Sequence, residues 1–486
     1  MRVNLTQHGT VQFRVLSADQ CEQIVLGACE VLERVGARFF APEAVELLGK
    51  AGCAVRDGHV VRIPSGLIRQ ALNTTPNRFT LFTRTGEPAI KAEPNCAHFG
   101  PGPTCCNFVD PKTGERRLFL KSDAALSARV CDALPNIDYV MSLGSISDVP
   151  QDQADVHEFD AMVRETTKPI MSWSFTRASL ARIHAMCAAV KGSEEAFARE
   201  PFMIFYGEPS SPLKHSVDAI QKLIYCAERG IPQVYTPCPI GGATAPATMA
   251  GILVQNLAET LCGVVLSQLI RKGTPIVVGG VVSILDMRST ILSYGAPELA
   301  LLSAGATEVA RHQGLPMFST AGCTDAKCVD QQAASEAMAS ILYAALSGGT
   351  FVHDVGYLES AMTGSLEQLV MCDELIGLAK RLVRGIEVNS ETLAVDAIAQ
   401  ATETGDYLAL DHTAQHFRRE FWFPRQMDRL RYGEWVAAGS KTMGDRTREL
   451  MQKIVAGHRA PALESGTLKE LARIVTGKPS RKPKTR

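Results

Sequence analysis

Prolines punctuate this chain at a recurring place. A helix-periodic apolar run ends, a proline or glycine follows, and a short β-branched or aromatic run begins. Such runs occupy 169–175, 202–208, 232–240 and 275–283, and Pro169, Pro232 and Pro275 open three of them. Proline suits the first position of a strand, because its missing N–H lies outside the ladder and it cannot continue the preceding helix. Between the strands, apolar residues three and four apart predict helices over 216–229, 247–271, 296–313, 330–346 and 366–383. Counted from a strand near His98 to one near Val352, the alternation gives eight units. Eight is the number that closes a parallel sheet into a (β/α)8 TIM barrel, with an open doubly wound sheet as the competing arrangement.

The chain has 486 residues, enough for a barrel of ~250 residues with additions at both ends. Residues 1–95 read as an N-terminal cap, with helices over 18–35 and 42–51 and short strands between 54 and 92. The barrel is expected over 96–385, a helical and more charged extension over 386–476, and a disordered basic tail over 477–486.

A formal net charge of −1 leaves no basic footprint for nucleic acid. No run of 18 uncharged apolar residues suggests a membrane span, and the first residues lack a signal-peptide pattern, so the expected location is the cytoplasm. Fourteen cysteines without an export signal suggest reduced thiols, and none forms a CxxC pair. A zinc built from His353, Cys323 and Cys238 is conceivable, but each residue type is equally at home in a core, and no metal is expected. Neither a dinucleotide fingerprint nor a P-loop is present.

The strand ends collect Trp173, Phe175, Tyr206, Tyr235, Phe318, His353 and Tyr357. In a barrel the C-terminal ends of the strands carry the binding and catalytic groups. Trp173 and Phe175 share strand parity, as do Tyr206 and Glu208. PIGGATAP at 239–246 places Gly241 and Gly242 in a loop whose backbone can approach a ligand, or that simply makes a tight turn. FSTAGCTDAKCVDQQAASE at 318–336 and GGTFVHDVGYLESAMTG at 348–364 put Asp325, Gln331, Gln332, Glu336 and Glu359 beside the last two strands.

These segments, with HTAQHFRREFWFPRQMDR at 412–429, resemble the trimethylamine methyltransferase family of corrinoid-dependent enzymes, in family order and across nearly the whole chain. The resemblance implies a (β/α)8 barrel that moves a methyl group from an amine to the cobalt of a separate small corrinoid-binding protein. It therefore implies a corrinoid carried by that partner and no tightly bound cofactor. The archetypal members carry pyrrolysine within the barrel, whereas this sequence holds only the twenty standard residues. The corresponding place falls near 331–333, which makes Gln331 and Gln332, with His353, the expected catalytic positions.

Cob(I)alamin is a strong nucleophile, so transfer needs chiefly a leaving group and in-line geometry. A quaternary ammonium supplies a neutral tertiary amine as leaving group, whereas a tertiary amine must first be activated. The expected substrate is thus a quaternary amine such as glycine betaine or another betaine, with a tertiary amine as the alternative. Aromatic faces must recognise it, at ~0.5–2 kcal/mol per well-placed ring. Trp173, Phe175, Tyr206, Tyr235 and Tyr357 are the candidate cage, Asp325, Asp330 and Glu336 the candidate charges, with Asp330 alternatively an N-cap, and Glu208 a further substrate-binding candidate beside Tyr206. Backbone N–H groups at 241–244, His98 or His353 are candidates for a substrate carboxylate. The helical ends suggest a homo-oligomer. A methyltetrahydrofolate methyltransferase, a metal-dependent lyase and a non-catalytic quaternary-amine binding protein are the competing readings.

Overall fold

The computed structural model describes residues 13–477; of the tail expected over 477–486, all but Gly477 lies outside the described residues. Seven parallel strands form one sheet in the order His98–Phe99, Phe351–His353, Met317–Thr320, Ile276–Gly279, Gln233–Tyr235, Met203–Gly207, Ile170–Ser172. Segment 138–141 bridges the two ends. Val140 pairs in parallel with Ile170 on one side, and on the other the Asp138 N–H donates to Phe99 O at 2.6 Å while the Phe99 N–H donates to Asp138 Oδ2 at 2.9 Å. The ring is thereby closed, as the eightfold alternation predicts.

The prolines act as the sequence suggests. Pro169, Pro232, Pro275 and Pro316 stand directly before strands, and their carbonyls accept from Val140, Phe205, Gln233 and Val278 of the neighbouring strand or segment. Each contributes an acceptor to the ladder without needing the donor it lacks. The runs expected over 232–240 and 275–283 are each broken in two. Gln233–Tyr235 is followed by Ile240–Gly241, and Ile276–Gly279 by Ser283–Asp286, because Pro237, Pro239 and the Gly279–Gly280 pair interrupt the ladder. The outer pieces pair with each other and with Ile291–Ser293 in one three-stranded sheet over the C-terminal end of the barrel.

Alternation along the strands sorts side chains between two cores. Tyr139, Met141, Met171, Ile204, Tyr206, Val234, Val277, Phe318 and Phe351 fill the interior, together with Leu81, Ile90 and Ala92 from the hairpin Phe79–Phe82/Pro88–Ala92. That hairpin closes the N-terminal end: Phe82 N–H donates to Pro201 O and Arg84 N–H to Thr167 O, both just before strands. This part of the expected cap is thus a plug in the barrel floor. The cap helices Ala18–Glu30, Pro42–Lys50 and Ser65–Thr74 instead pack on the helix Met249–Ile270 in a second core. Sandwiched between cap and strands, that helix is buried at every residue from Asn256 to Gln268. Its 22 residues have the length and apolarity of a membrane span, but burial on all sides accounts for its composition.

At the other end, helices Met443–Gly457 and Ser465–Val475 return to the barrel, where Met451, Ile454, Leu471, Ile474 and Val475 join its outer core. The stretch before them does not. Helices Asp411–Glu420 and Tyr432–Ala437 bury no residue, and Val395–Thr404 buries only Ala397 and Ala401, which cluster with Leu410 away from the main cores.

Candidate active site

A cavity of about 310 Å³ lies at the C-terminal end of the barrel, lined by Pro103, Thr104, Ser145, Trp173, Ser174, Phe175, Tyr206, Gly207, Glu208 and Lys222. A roomier depression of about 450 Å³ lies aside from it, against helix Met443–Gly457, lined by Arg116, Lys327, Glu367 and Arg448 among others. Two of its four cations face carboxylates, Arg116 on Glu359 and Arg448 on Glu367, and Lys327 donates to the Asp325 carbonyl. The smaller cavity is the one that opens over the barrel interior.

Its aromatic wall comes from two neighbouring strands. Past Ser172 the chain carries Trp173 and Phe175 on the same side, and their rings meet edge to face with centroids 4.6 Å apart. Trp173 Nε1–H donates to Glu158 Oε2 at 2.8 Å, and Phe175 N–H to Asp155 Oδ2 at 2.8 Å. Two buried carboxyls of helix Ala154–Glu165 therefore fix the wall from behind. On the next strand, Tyr206 points inward between Phe318 and His353, with centroids 5.3 Å and 6.3 Å away. Its hydroxyl donates to Glu208 in a short hydrogen bond. Solvent reaches Glu208 through the cavity, yet the surrounding protein desolvates its carboxyl enough to raise its pKa.

One layer below sits a coupled pair. His353 Nδ1 lies 2.8 Å from Ser319 O, which can only accept, so Nδ1 carries the ring's proton. Burial drives the His353 pKa down to about 3, leaving a neutral ring whose unprotonated Nε2 faces Asp354 Oδ2 at 3.2 Å. Two acceptors cannot face each other in this way. Desolvation lifts the Asp354 carboxyl to about 8, while the hydroxyls of Tyr294 and Tyr357 pull it partly back. At neutral pH Asp354 holds the proton and donates it to His353. Asp354 also adopts a left-handed backbone, φ 73°, uncommon for a residue other than glycine and costing about 1–3 kcal/mol. Gly102 allows its approach, since a Cβ there would overlap the Asp354 carboxyl and the Tyr357 hydroxyl.

Four of the expected site residues line this cavity: Trp173, Phe175, Tyr206 and Glu208. The others are placed elsewhere. Tyr235 faces outward, packed where a side chain at Gly263 would stand and bonded to His215 Nδ1 at 2.7 Å. It belongs to the layer between strands and helices, because Val234 takes the inward position. Tyr357 is buried beneath the Pro103–Thr104 turn, its hydroxyl accepting from Thr104 N–H at 2.8 Å. Asp325 is a loop tie, accepting from Tyr294 N–H at 2.7 Å and Ser360 Oγ at 2.6 Å. Gly242 N–H donates to Ala245 O, and the amides of Ala243 and Thr244 to Ile240 O, so this loop offers no amide cradle for a carboxylate. His98 lies at the barrel floor beside Phe351. Gln331 and Gln332 are exposed at the start of helix Gln331–Ser347, and Gln332 Nε2 is tied to Glu336 Oε1. Glu336 in turn holds Thr324 and the Asp325 amide. Cys323 is buried with its thiol toward Tyr294 O, and among the described residues no three His, Cys, Asp or Glu side chains are grouped to hold a metal ion.

Sequence reasoning missed Glu158 and Lys222, and took Asp354 only as a neighbour of His353. The helix ADVHEFDAMVRE buries Asp155, Glu158 and Asp160 together, and charges on an otherwise apolar face were the available signal. Lys222 had none.

Glu158 is lifted from 4.5, and Asp354 from 3.8, to about 8, in both cases chiefly by desolvation. The folded state therefore holds protons that the unfolded chain releases. Stability from this source is full below about pH 4 and is lost as pH rises through about 8. Urea unfolding at a series of pH values across that window is expected to show wild-type stability falling. The permanently neutral Glu158→Gln variant should show a shallower fall, and parallel curves would count against a buried protonated Glu158.

The model of the trimethylamine methyltransferase (MTTB) family matches residues 2–482. A trimethylamine methyltransferase of Methanosarcina barkeri is 32% identical over 474 residues, covering 96% of this chain and 95% of that protein. The glycine betaine methyltransferase of Desulfitobacterium hafniense is 28% identical over 457 residues, covering 93% and 94%. Among solved structures, the monomethylamine methyltransferase of Methanosarcina barkeri superposes with a TM-score of 0.52 at 12% identity, over 92% of this chain and 88% of that one, a likeness of fold. Matched over almost its whole length, the chain belongs to the trimethylamine methyltransferase family and is a methyltransferase.

Proposed function

We propose that this methyltransferase takes a methyl group from a quaternary amine, glycine betaine or a related betaine, and delivers it to the Co(I) of a separate corrinoid protein. The observation that carries the reading is the cavity itself, whose lining brings together the rings of Trp173, Phe175 and Tyr206 and the carboxyl of Glu208. A quaternary nitrogen has no N–H, so ring faces and a diffuse negative charge are what can bind it. The relative named a glycine betaine methyltransferase supports this choice; the more similar relatives are named for trimethylamine.

A docked corrinoid supplies the nucleophile. The residues present suit a partner that brings it from outside. The connections following the strands expose Leu118, Phe175, Met249, Met287, Ile291 and Met362, and apolar side chains gathered on one end of a molecule mark contact with another protein. The chain's own part is to hold the nitrogen against the rings, exclude water and leave one methyl toward the opening. Glu158 and Asp155 keep the aromatic wall in place, and no proton need reach the departing tertiary amine.

The test is anaerobic turnover of glycine betaine, proline betaine, carnitine, γ-butyrobetaine and trimethylamine with Co(I) corrinoid, following the demethylated amine. Turnover of one quaternary amine is the expected result; turnover of trimethylamine alone would overturn the reading. Affinity should also depend on pH in a defined sense. A bound cation favours ionised Glu208, whose pKa is raised in the free protein, so binding should tighten as pH rises. Glu208→Gln should bind more weakly and lose that slope in calorimetric titrations.

The stretch 386–437 supports assembly with a second copy of the chain. It exposes Ile386, Val395, Tyr407, Leu408, Phe421 and Tyr432 among others, Leu408 at 89% and Tyr432 at 78%. Residues 386–411 carry six carboxylates and no lysine or arginine, while 412–431 carry five arginines against Glu420 and Asp428. Within the chain Glu387 already pairs with Arg419, Glu391 with His416 and Asp373 with Arg425, so the exposed apolar side chains are what a second copy across a two-fold axis would cover. Light scattering is expected to show a dimer or larger assembly, and Leu408→Asp with Tyr432→Asp a monomer of unchanged helicity. A wild-type monomer at micromolar concentration would overturn the assignment.

A further inference from the structure

The cavity that holds the aromatic wall also holds charges of both signs, and they are not paired with each other. Glu208 bonds to the Tyr206 hydroxyl. Lys222, from helix Val217–Arg229, lines the same cavity. Its ammonium donates to the carbonyls of Ser174 and Phe175, the latter at 3.2 Å, and lies 6.0 Å from the centroid of the Phe205 ring. Among the described residues no carboxylate comes within ion-pair distance, 4.0 Å, of Lys222, and no cation within that distance of Glu208.

This is an expensive arrangement. Lys222 is largely desolvated, and its pKa is pushed below the usual lysine range although Asp218, Asp155 and Glu208 lie near enough to pull it back. An ammonium has three protons, and Ser174 and Phe175 take two. A half-buried charge with no counter-charge in direct contact is costly unless something brings the missing partner. Here the open side of Lys222 is the cavity.

We infer that Lys222 is the carboxylate-binding end of an amphoteric pocket, and that the substrate is an N-methylated zwitterion rather than a simple methylamine or an amino alcohol. The quaternary nitrogen lies against Trp173, Tyr206 and Glu208, and the carboxylate accepts the third proton of Lys222. Each end of the ligand then supplies the charge that the adjacent wall lacks. The role expected for the amides at 241–244 passes to Lys222, because those of 242–244 are bonded within their own loop and Gly241 belongs to a strand paired with Ser283–Asp286. This inference rests on the quaternary-amine reading and adds the second charge to it.

Lys222 also fastens the Ser174 and Phe175 carbonyls, so the test must separate recognition from fastening. Calorimetry would compare glycine betaine, proline betaine and carnitine, each beside its methyl ester, which keeps the nitrogen and loses the negative charge. Wild-type protein is expected to bind at least one zwitterion about ten- to a hundredfold more tightly than its ester, the range for a hydrogen bond between charged groups. Lys222→Met should collapse that ratio to near one, and Lys222→Arg should keep most of it. A wild-type protein that binds ester and zwitterion alike would overturn the carboxylate site and leave the cage standing. Equal weakening of both ligands in Lys222→Met would overturn it in favour of fastening. Binding of none of the six would overturn the quaternary-amine reading itself.

Discussion

One carboxylate closes the ring on which the rest of the structure is hung. Asp138 accepts the Phe99 N–H with its side chain and donates its own N–H to Phe99 O, joining segment 138–141 to the first strand. Neither side of that junction is a long strand: His98–Phe99 has two residues, and Val140 contributes a single bridge to Ile170. The side chain substitutes for ladder bonds that so short a segment cannot make. Closure matters because it gives each strand an inside and an outside. Once Asp138 fixes the seam, Met171, Ile204, Val234 and Val277 point inward, and their neighbours in sequence point to the helices.

That alternation explains how far the sequence could be read. The existence and order of strands and helices were legible because prolines, apolar runs and three-four spacing are local signals. Parity was legible too, since Trp173 and Phe175 do meet on one side. Absolute phase was not. Whether Val234 or Tyr235 faces the interior depends on register with Phe205, Tyr206, Val277 and Val278, which lie 28 or more residues away in either direction. A wrong phase sends an aromatic residue from the cavity to the helix layer, as happened with Tyr235. Loop residues were less legible again: Asp325 and Gln332 carry chemically capable side chains, but local hydrogen bonds consume both.

Residues that reach the cavity from helices had no strand period to betray them. Glu158 and Lys222 belong to Ala154–Glu165 and Val217–Arg229, where a charged residue ordinarily reads as part of the solvated face. What marks them is a cost visible only in three dimensions. Glu158 and Asp354 are both driven up to about 8 by burial, and His353 is driven down to about 3. Burial shifts His98 and His215, away from the cavity, just as far, so what distinguishes Glu158 and Asp354 is their position, one bonded to the aromatic wall and the other on a left-handed backbone beneath it.

The floor and wall of the cavity resolve that cost differently, and the difference indicates where the ligand belongs. Below, His353 and Asp354 share one proton, and the pair is neutral and complete. At the wall, Glu158 is complete as well, because Trp173 and the Ile146 amide occupy its oxygens. Only Glu208 and Lys222, the two charged groups that line the opening, have no ion-pair partner within 4.0 Å among the described residues. A neutral amine would satisfy neither, and a simple cation would satisfy Glu208 alone. A ligand with a fixed positive charge at one end and a carboxylate at the other, as in the betaines proposed as substrate, would satisfy both.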